Sequence, residues 1–105
     1  MITTTTHNIE GRPVQQYLGI VSSESIIGAN IFKDLFAGVR DIVGGRSSTY
    51  ERVIEEARSN AMAELIQKAQ NIGANAVIGI DLDFETVGSG ASMLMVIATG
   101  TAVRI

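Results

Sequence analysis

Apolar side chains recur at every third or fourth position between Ser48 and Gly73, which predicts one long amphipathic helix. Ser48 and Glu51 form a capping-box pattern at its start, and Gly73 suits the left-handed turn that ends a helix. The apolar positions are Val53, Ile54, Ala57, Ala61, Met62, Leu65, Ile66, Ala69 and Ile72. At about 100° per residue their direction moves by roughly a quarter-turn between the two halves. We therefore expect the helix to bury different flanks along its length.

A second helical stripe lies directly before this helix. The spacing of its apolar residues predicts a helix over 31–43 that ends at two glycines, Gly44 and Gly45. The residues of this stripe are Ile31, Phe32, Leu35, Phe36, Val39, Ile42 and Val43. The chain therefore carries a predicted pair of helices joined by a sharp corner.

Short β-branched and alternating segments flank the helical pair on both sides. They predict strands over 2–6, 14–23, 76–85 and 93–104, with a turn over 7–13 and another at Gly88-Ser89-Gly90. The order ββααββ predicts an α+β fold in which two hairpins form a small antiparallel sheet with both helices on one face.

The last predicted strand contains an apolar run that does not alternate, from Met93 to Ala98. An antiparallel sheet with one solvated face should alternate apolar and polar residues. Something other than the two helices should therefore cover the second face, and another copy of the chain is the simplest candidate. Met93 and Met95 are expected to lie in the core or in such an interface.

Composition limits the class of protein. The 105 residues suit one domain spanning 1–105. Charged residues make up only 18% of the chain, against about 25% in ordinary domains, which agrees with apolar surface used in subunit contacts. The net charge of −3 disfavours nucleic-acid binding. With no signal-like or membrane-spanning segment, we expect a cytoplasmic protein that does not bind membranes.

Several short motifs together resemble the YbjQ family over nearly the whole chain. They lie at 17–21 (YLGIV), 40–47 (RDIVGGRS), 73–77 (GANAV) and 100–103 (GTAV), with Tyr50-Glu51 and Ala57-Arg58 between them. The Gly-Gly-Arg-Ser block is the most specific of these motifs. The resemblance implies a small dodecin-like, YbjQ-like subunit assembled into an oligomeric ring, a pentamer.

The same resemblance brings with it a label of heavy-metal binding. This chain has no cysteine and a single histidine, His7. Soft metals are held by thiolates in proteins, so we expect no tight binding of cadmium, mercury or Cu(I). One imidazole is also too few for a transition-metal site, which needs three or four ligands, unless a ring of copies brings several His7 side chains together.

The corner before the long helix is the main candidate site. Gly44, Gly45, Arg46 and Ser47 at a helix start resemble a phosphate cradle, although they do not match the P-loop pattern. The alternative is a helix–helix corner in which the glycines turn and the serines cap. Glu51 and Arg58 lie beside the buried flank. They form either a polar cluster at the edge of a subunit contact or an ordinary ion pair at its rim.

A second candidate is a row of carboxylates at alternate strand positions. Asp81, Asp83 and Glu85 share one face of their strand. Such a row can bind a hard divalent cation such as Ca²⁺ or Mg²⁺, or can simply be a solvated face. The residues alone leave both interpretations open.

No catalytic set of the Ser/His/Asp or Cys/His type can be assembled from these residues. We therefore predict a non-enzymatic homo-oligomer, a pentamer, that binds a small anionic ligand or a metal ion; the cofactor, if there is one, is not indicated. The rival hypothesis is an enzyme of unknown reaction whose site lies at the subunit interface around Arg46, Glu51 and Arg58.

Overall fold

The computed structural model describes residues 1–28, 48–91 and 93–105. The elements are β1 (Ile2–Thr3), β2 (Gln16–Ile27), α1 (Ser48–Asn71), β3 (Ala76–Val87), a 3₁₀ turn (Ser89–Ala91) and β4 (Met93–Arg104). The helix predicted over 31–43 and the corner at 44–47 lie outside the described residues. The fold of the described part is one helix on a four-stranded sheet.

The sheet has the strand order β1-β3-β4-β2 and is mixed. Strand β4 pairs antiparallel with both β2 and β3, whereas β1 pairs in parallel with β3. The predicted C-terminal hairpin is therefore confirmed. The prediction that the whole sheet is antiparallel was wrong, because β1 pairs in parallel with β3.

The predicted N-terminal hairpin was also wrong, because β1 and β2 lie at opposite edges of the sheet. The connection between them crosses the face of the sheet opposite α1, called here the helix-free face. On the way, Ile9 and Val14 pack on a small buried cluster of Ala76, Ile78 and Val103. Burying these two side chains favours the crossing over a tight turn, and turn-forming residues alone do not reveal this.

Helix α1 packs on the sheet through a row of mostly small side chains. Its fully buried positions recur at every fourth residue from Ala57: Ala57, Ala61, Leu65 and Ala69. Four residues advance about 40° beyond one full turn, so this row winds around the helix, as the drift of the apolar stripe predicts. Alanine lets the two backbones approach closely, and Ser23 on β2 donates a hydrogen bond to the carbonyl of Ala61.

The C-terminal end of α1 confirms the predicted stop. Gly73 has a positive φ of 90°. The Gly73 amide donates to the Gln70 carbonyl and the Ala74 amide to the Ala69 carbonyl, each at 3.0 Å. These two bonds form a Schellman motif. Ile72 falls in this turn and is 47% exposed, so it does not belong to the buried stripe.

Strand β4 contributes residues to both faces of the sheet. Leu94, Val96 and Ala98 belong to the core beneath α1, while Met93, Met95 and Ile97 point to the helix-free face and are half-buried. The connection after β1 covers only the end of this face near Ala76 and Val103. The other end is covered by none of the described residues.

Candidate functional site

The first half of α1 carries a pocket of about 290 Å³ lined by Glu51, Ile54, Glu55 and Arg58. The helical repeat places these side chains on one flank, because positions three, four and seven apart are neighbours on a helix. The structure thus brings together Glu51 and Arg58, the two described members of the predicted corner site. Gly44, Gly45, Arg46 and Ser47 lie outside the described residues.

The charges around this pocket are mixed. Two carboxylates, Glu51 and Glu55, accompany the Arg58 guanidinium, and all three side chains are exposed. Within the described lining the negative charge exceeds the positive charge. An anionic ligand would therefore need a further cation, and Arg46 is the residue that the sequence offers close to this helix start.

The predicted row of carboxylates lies on the helix-free face of β3. Asp81, Asp83 and Glu85 are all exposed. A protonated Asp83 side chain hydrogen-bonds to Asp81, and the negative charges of Asp81 and Glu85 repel its ionised form. Together with slight desolvation, these effects raise the pKa of Asp83 above its usual value.

Sequence reasoning missed a fourth carboxylate on the same face, Glu24 of β2. Glu24 and Asp83 both pair with Ile97 on β4, so they flank this apolar side chain from either side. Only the register of three strands reveals this relationship. No local pattern in the sequence could have indicated it.

The described residues contain no group of three or more His, Asp or Glu side chains arranged to hold a metal ion. Asp81 and Asp83 are close enough to share a hydrogen bond, but Asp81 and Glu85 are four strand residues, about 13 Å, apart, so the three carboxylates of β3 do not gather around one ion. His7 lies elsewhere, against Gly79, with its Nδ1 atom 3.5 Å from the position a Cβ would take there.

A second pocket, of about 280 Å³, opens between β1, β3 and the helix. Its apolar wall is Met62, Ile80 and Leu82, and its polar rim is formed by Thr3, Thr4 and Thr5. The sequence predicted the strand with the threonines, the helix and β3 as separate elements, but it did not predict that they line one pocket. The parallel pairing of β1 with β3 brings the threonines beside Ile80 and Leu82.

One helix packed on a four-stranded mixed sheet defines a small α+β domain. The chain belongs to the YbjQ family: the family model described as "Putative heavy-metal-binding" matches residues 1–105. The family predicted from the motifs is thereby confirmed.

The fold is similar to that of a solved structure from Pediococcus pentosaceus ATCC 25745, a protein of unknown function in the DUF74 family. The two share 17% sequence identity with a TM-score of 0.67, over 100% of this chain and 97% of the other. At this identity the likeness shows the fold.

None of the helices in the described residues combines the length and the apolar character needed to cross a membrane.

Proposed function

We propose that this protein acts as a cytoplasmic homo-oligomer, a pentamer, that binds a small anion or a divalent cation rather than catalysing a reaction. The observation that supports assembly is the open half of the helix-free face. There β4 presents Met93, Met95 and Ile97, and the edge strand β2 adds Ile26, which is 56% exposed. The subunit number comes from the resemblance to the YbjQ family.

This face is unusual for a monomeric surface. On β2, Tyr17 is 69% and Ile20 is 85% exposed. These two lie at the end of the face near Val103 and Thr101, whereas Ile26 lies beside Met95 at the open end. Apolar side chains grouped as at the open end mark contact surfaces in soluble proteins. Copies of the same chain are the simplest partner, since most soluble oligomers are built from identical subunits.

The flank of α1 at Glu51, Glu55 and Arg58 is the proposed ligand site. It is a concave surface with groups of both charges, and Arg46 would supply the second cation for an anionic ligand. Arginine suits such a ligand because its planar guanidinium can form two parallel hydrogen bonds to phosphate or carboxylate.

The family description of heavy-metal binding fits this chain only with hard ligands. The absence of cysteine excludes thiolate coordination. Carboxylates such as Asp81, Asp83 and Glu85 prefer Ca²⁺ or Mg²⁺. A site at this row would hold the cation through neighbouring carboxylates, with waters or residues of another subunit as the remaining ligands.

The rival function is an enzyme with a site at the subunit interface around Arg46, Glu51 and Arg58. The pocket of about 290 Å³ at this flank favours it. The two functions differ in what happens to a bound molecule: an enzyme converts it into a product, whereas a binding protein retains it unchanged.

Native mass spectrometry of protein purified from cells tests assembly and ligand binding together. We expect one pentameric species, with a mass increment if a ligand stays bound. A stable monomer at micromolar concentration would rule out the assembly. Retention of two chemically related molecules, as substrate and product, would favour the enzyme.

A further inference from the structure

An apolar trough lies on the helix side of the sheet, between α1 and the open part of β3. We call it the β3 trough, and its floor is formed by Ile80, Leu82 and Phe84. Ile80 belongs to the core beneath α1 and Leu82 packs against that core. Phe84 pairs with the buried Val96 of β4, and paired residues point to the same face of a sheet. Phe84 is nevertheless 46% exposed, so the described residues leave this end of the floor open.

One flank of α1 forms the wall of the β3 trough. Ile54, Arg58 and Met62 follow one another at intervals of four residues, so their side chains are neighbours on the helix. Ile54 and Met62 pack against the core, while Arg58 is exposed. The wall therefore carries one cation between two apolar side chains.

The strand register sets the level of each floor residue along α1. Leu82 and Ser23 pair with the same residue of β4, and Ser23 bonds to Ala61, so Leu82 lies at the level of the middle of the helix. Strands β2 and β3 run the same way, and the end of β2 shares a pocket with the first half of α1. Phe84 therefore lies farther towards the first half of α1, on the side where Arg58 lies.

This alignment joins the two pockets described above into one surface. The pocket of about 280 Å³ contains Met62, Ile80 and Leu82, and the pocket of about 290 Å³ begins one helical turn away at Arg58. Phe84 extends the apolar floor from the first pocket towards the second. A single elongated molecule can therefore contact both.

The two ends of the β3 trough differ in charge. Arg58 has no ion pair within 4 Å among the described residues. Glu55 lines the same flank, but it lies one turn farther from Met62 than Arg58 does, so the charge next to the apolar wall is positive. At the other end the described lining carries no charged side chain, and its polar residues are Thr3, Thr4 and Thr5. An apolar surface with a guanidinium at one end suits an apolar molecule that carries an anionic group.

We propose that the β3 trough binds an amphipathic carboxylate, with its carboxylate on Arg58 and its apolar body over Met62, Leu82 and Phe84. The guanidinium can donate two parallel hydrogen bonds to the carboxylate, and removal of the hydrocarbon from water supplies the remaining affinity. The flexible Met62 side chain adapts to the shape of the body. The inference rests on the proposed anion site and names the class of anion that it takes.

Thermal melts with three related compounds test the head and the body of the ligand separately. Octanoate has both parts, acetate has only the carboxylate, and octanamide has the body without the charge. At equal concentrations we expect octanoate to raise the melting temperature more than either of the others, in proportion to mass action. An octanoate effect no larger than that of acetate would overturn the trough and leave the proposed anion site standing.

Two further results would also decide against the trough. No response to any anion, phosphate included, would overturn both the trough and the anion site. A larger effect of octylamine than of octanoate would place the charged head on a carboxylate such as Glu55, and would overturn the assignment to Arg58.

Two substitutions locate the head and the body. Arg58→Gln should weaken octanoate binding about tenfold and leave the response to octanamide unchanged. Phe84→Ser should weaken octanoate binding and leave the response to acetate unchanged. The matched controls are Arg12→Gln, at another exposed cation, and Ile20→Ser, at an apolar residue that is 85% exposed. Equal losses in Phe84→Ser and Ile20→Ser would show general binding to exposed apolar surface and overturn the proposal.

Methionine methyl signals in the NMR spectrum test the location in the unmodified protein. Met62 lies in the wall of the β3 trough, whereas Met93 and Met95 lie on the helix-free face. Octanoate should shift the methyl signal of Met62 and leave those of Met93 and Met95 in place. A shift confined to Met93 and Met95 would put the octanoate on the opposite face and overturn the proposal.

Discussion

The Ser23 hydroxyl on β2 donates a hydrogen bond of 2.5 Å to the backbone carbonyl of Ala61 in the middle of α1. Both residues are buried, with Ala61 fully so. The bond connects the middle of the edge strand to the middle of the helix.

Ser23→Ala should therefore destabilise the protein by about 1 kcal/mol, the usual net value of a buried hydrogen bond. The effect stays modest because a carbonyl within α1 can still accept its own helical bond. Urea denaturation followed by circular dichroism measures it. Ser22→Ala is the matched control, since this neighbouring side chain is exposed on the other face, and should change stability by less than about 0.5 kcal/mol. Equal effects of the two substitutions would contradict the assignment.

Gly100→Ala should destabilise the fold by about 1–3 kcal/mol. A Cβ at this position would lie 2.6 Å from Val77 Cγ1 and 3.2 Å from Ile80 Cγ1, in the packed layer between β4 and β3. Gly28→Ala is the control, because no atom of the described residues lies within 4 Å of a Cβ there. Thermal melts of both variants check the prediction, and a Gly100→Ala protein that melts like the wild type would contradict the packing.

Asp83→Asn should stabilise the protein at neutral pH. The pKa of Asp83 is raised in the folded state, so the folded protein binds a proton more tightly than the unfolded chain does. Stability of the wild type therefore falls as the pH rises from about 3.8 through the folded pKa. The gain from Asp83→Asn should be present at pH 7 and shrink towards pH 4.

Melting temperatures at the two pH values measure this difference. Glu10→Gln, which changes an exposed carboxylate in the N-terminal connection, serves as the control. An equal effect of Asp83→Asn at both pH values would show that repulsion from Asp81 and Glu85 does not matter.

Neighbouring lysine substitutions on β4 should separate folding from assembly. Val96 is fully buried beneath α1, so Val96→Lys should unfold the subunit, since an unpaired buried charge costs several kcal/mol. Ile97 points the other way, between Glu24 and Asp83. Ile97→Lys should therefore leave a folded subunit that no longer assembles. Circular dichroism and sedimentation measure the two properties, and an Ile97→Lys protein that still assembles would exclude this face from the interface.

Arg58→Ala tests the proposed ligand site on α1. The wild type should gain thermal stability with added phosphate in proportion to mass action, and the variant should lose that gain while keeping its assembly. Arg12→Ala is the control for a general effect of salt. Identical phosphate responses of Arg58→Ala and the wild type would exclude Arg58 from an anion site.

The sequence predicts features that depend on neighbouring residues better than contacts between residues far apart in the chain. Helix α1 follows from residues within one segment, namely the cap pattern at Ser48 and Glu51 and the turn at Gly73, and the same periodicity placed Glu51 beside Arg58. The partner of β1 depends on residues more than half the chain away. Turn-forming residues at 7–13 are compatible both with a hairpin and with a crossing, and the burial of Ile9 and Val14 decides between them.

The candidate sites show the same limit. Alternation predicted that Asp81, Asp83 and Glu85 share a face, because this property belongs to one strand. Their relation to Glu24 depends on how β2, β4 and α1 are aligned. That alignment comes from packing, such as the bond between Ser23 and Ala61.

The pairing of Ile2 and Thr3 with Ala76 and Val77 also affects the order in which the strands form during synthesis and folding. Synthesis proceeds from the N-terminal side, so Ile2 and Thr3 are made more than 70 residues before Ala76 and Val77 and must wait for their partner strand. Closing such a distant contact is slow, so the N-terminal strand should dock after the β3–β4 hairpin has formed. Until then the edge of β3 at Ala76 and Val77 lacks its partner strand, and a nascent subunit is more prone to wrong strand pairing than a finished one. A bulky N-terminal fusion would prolong that interval.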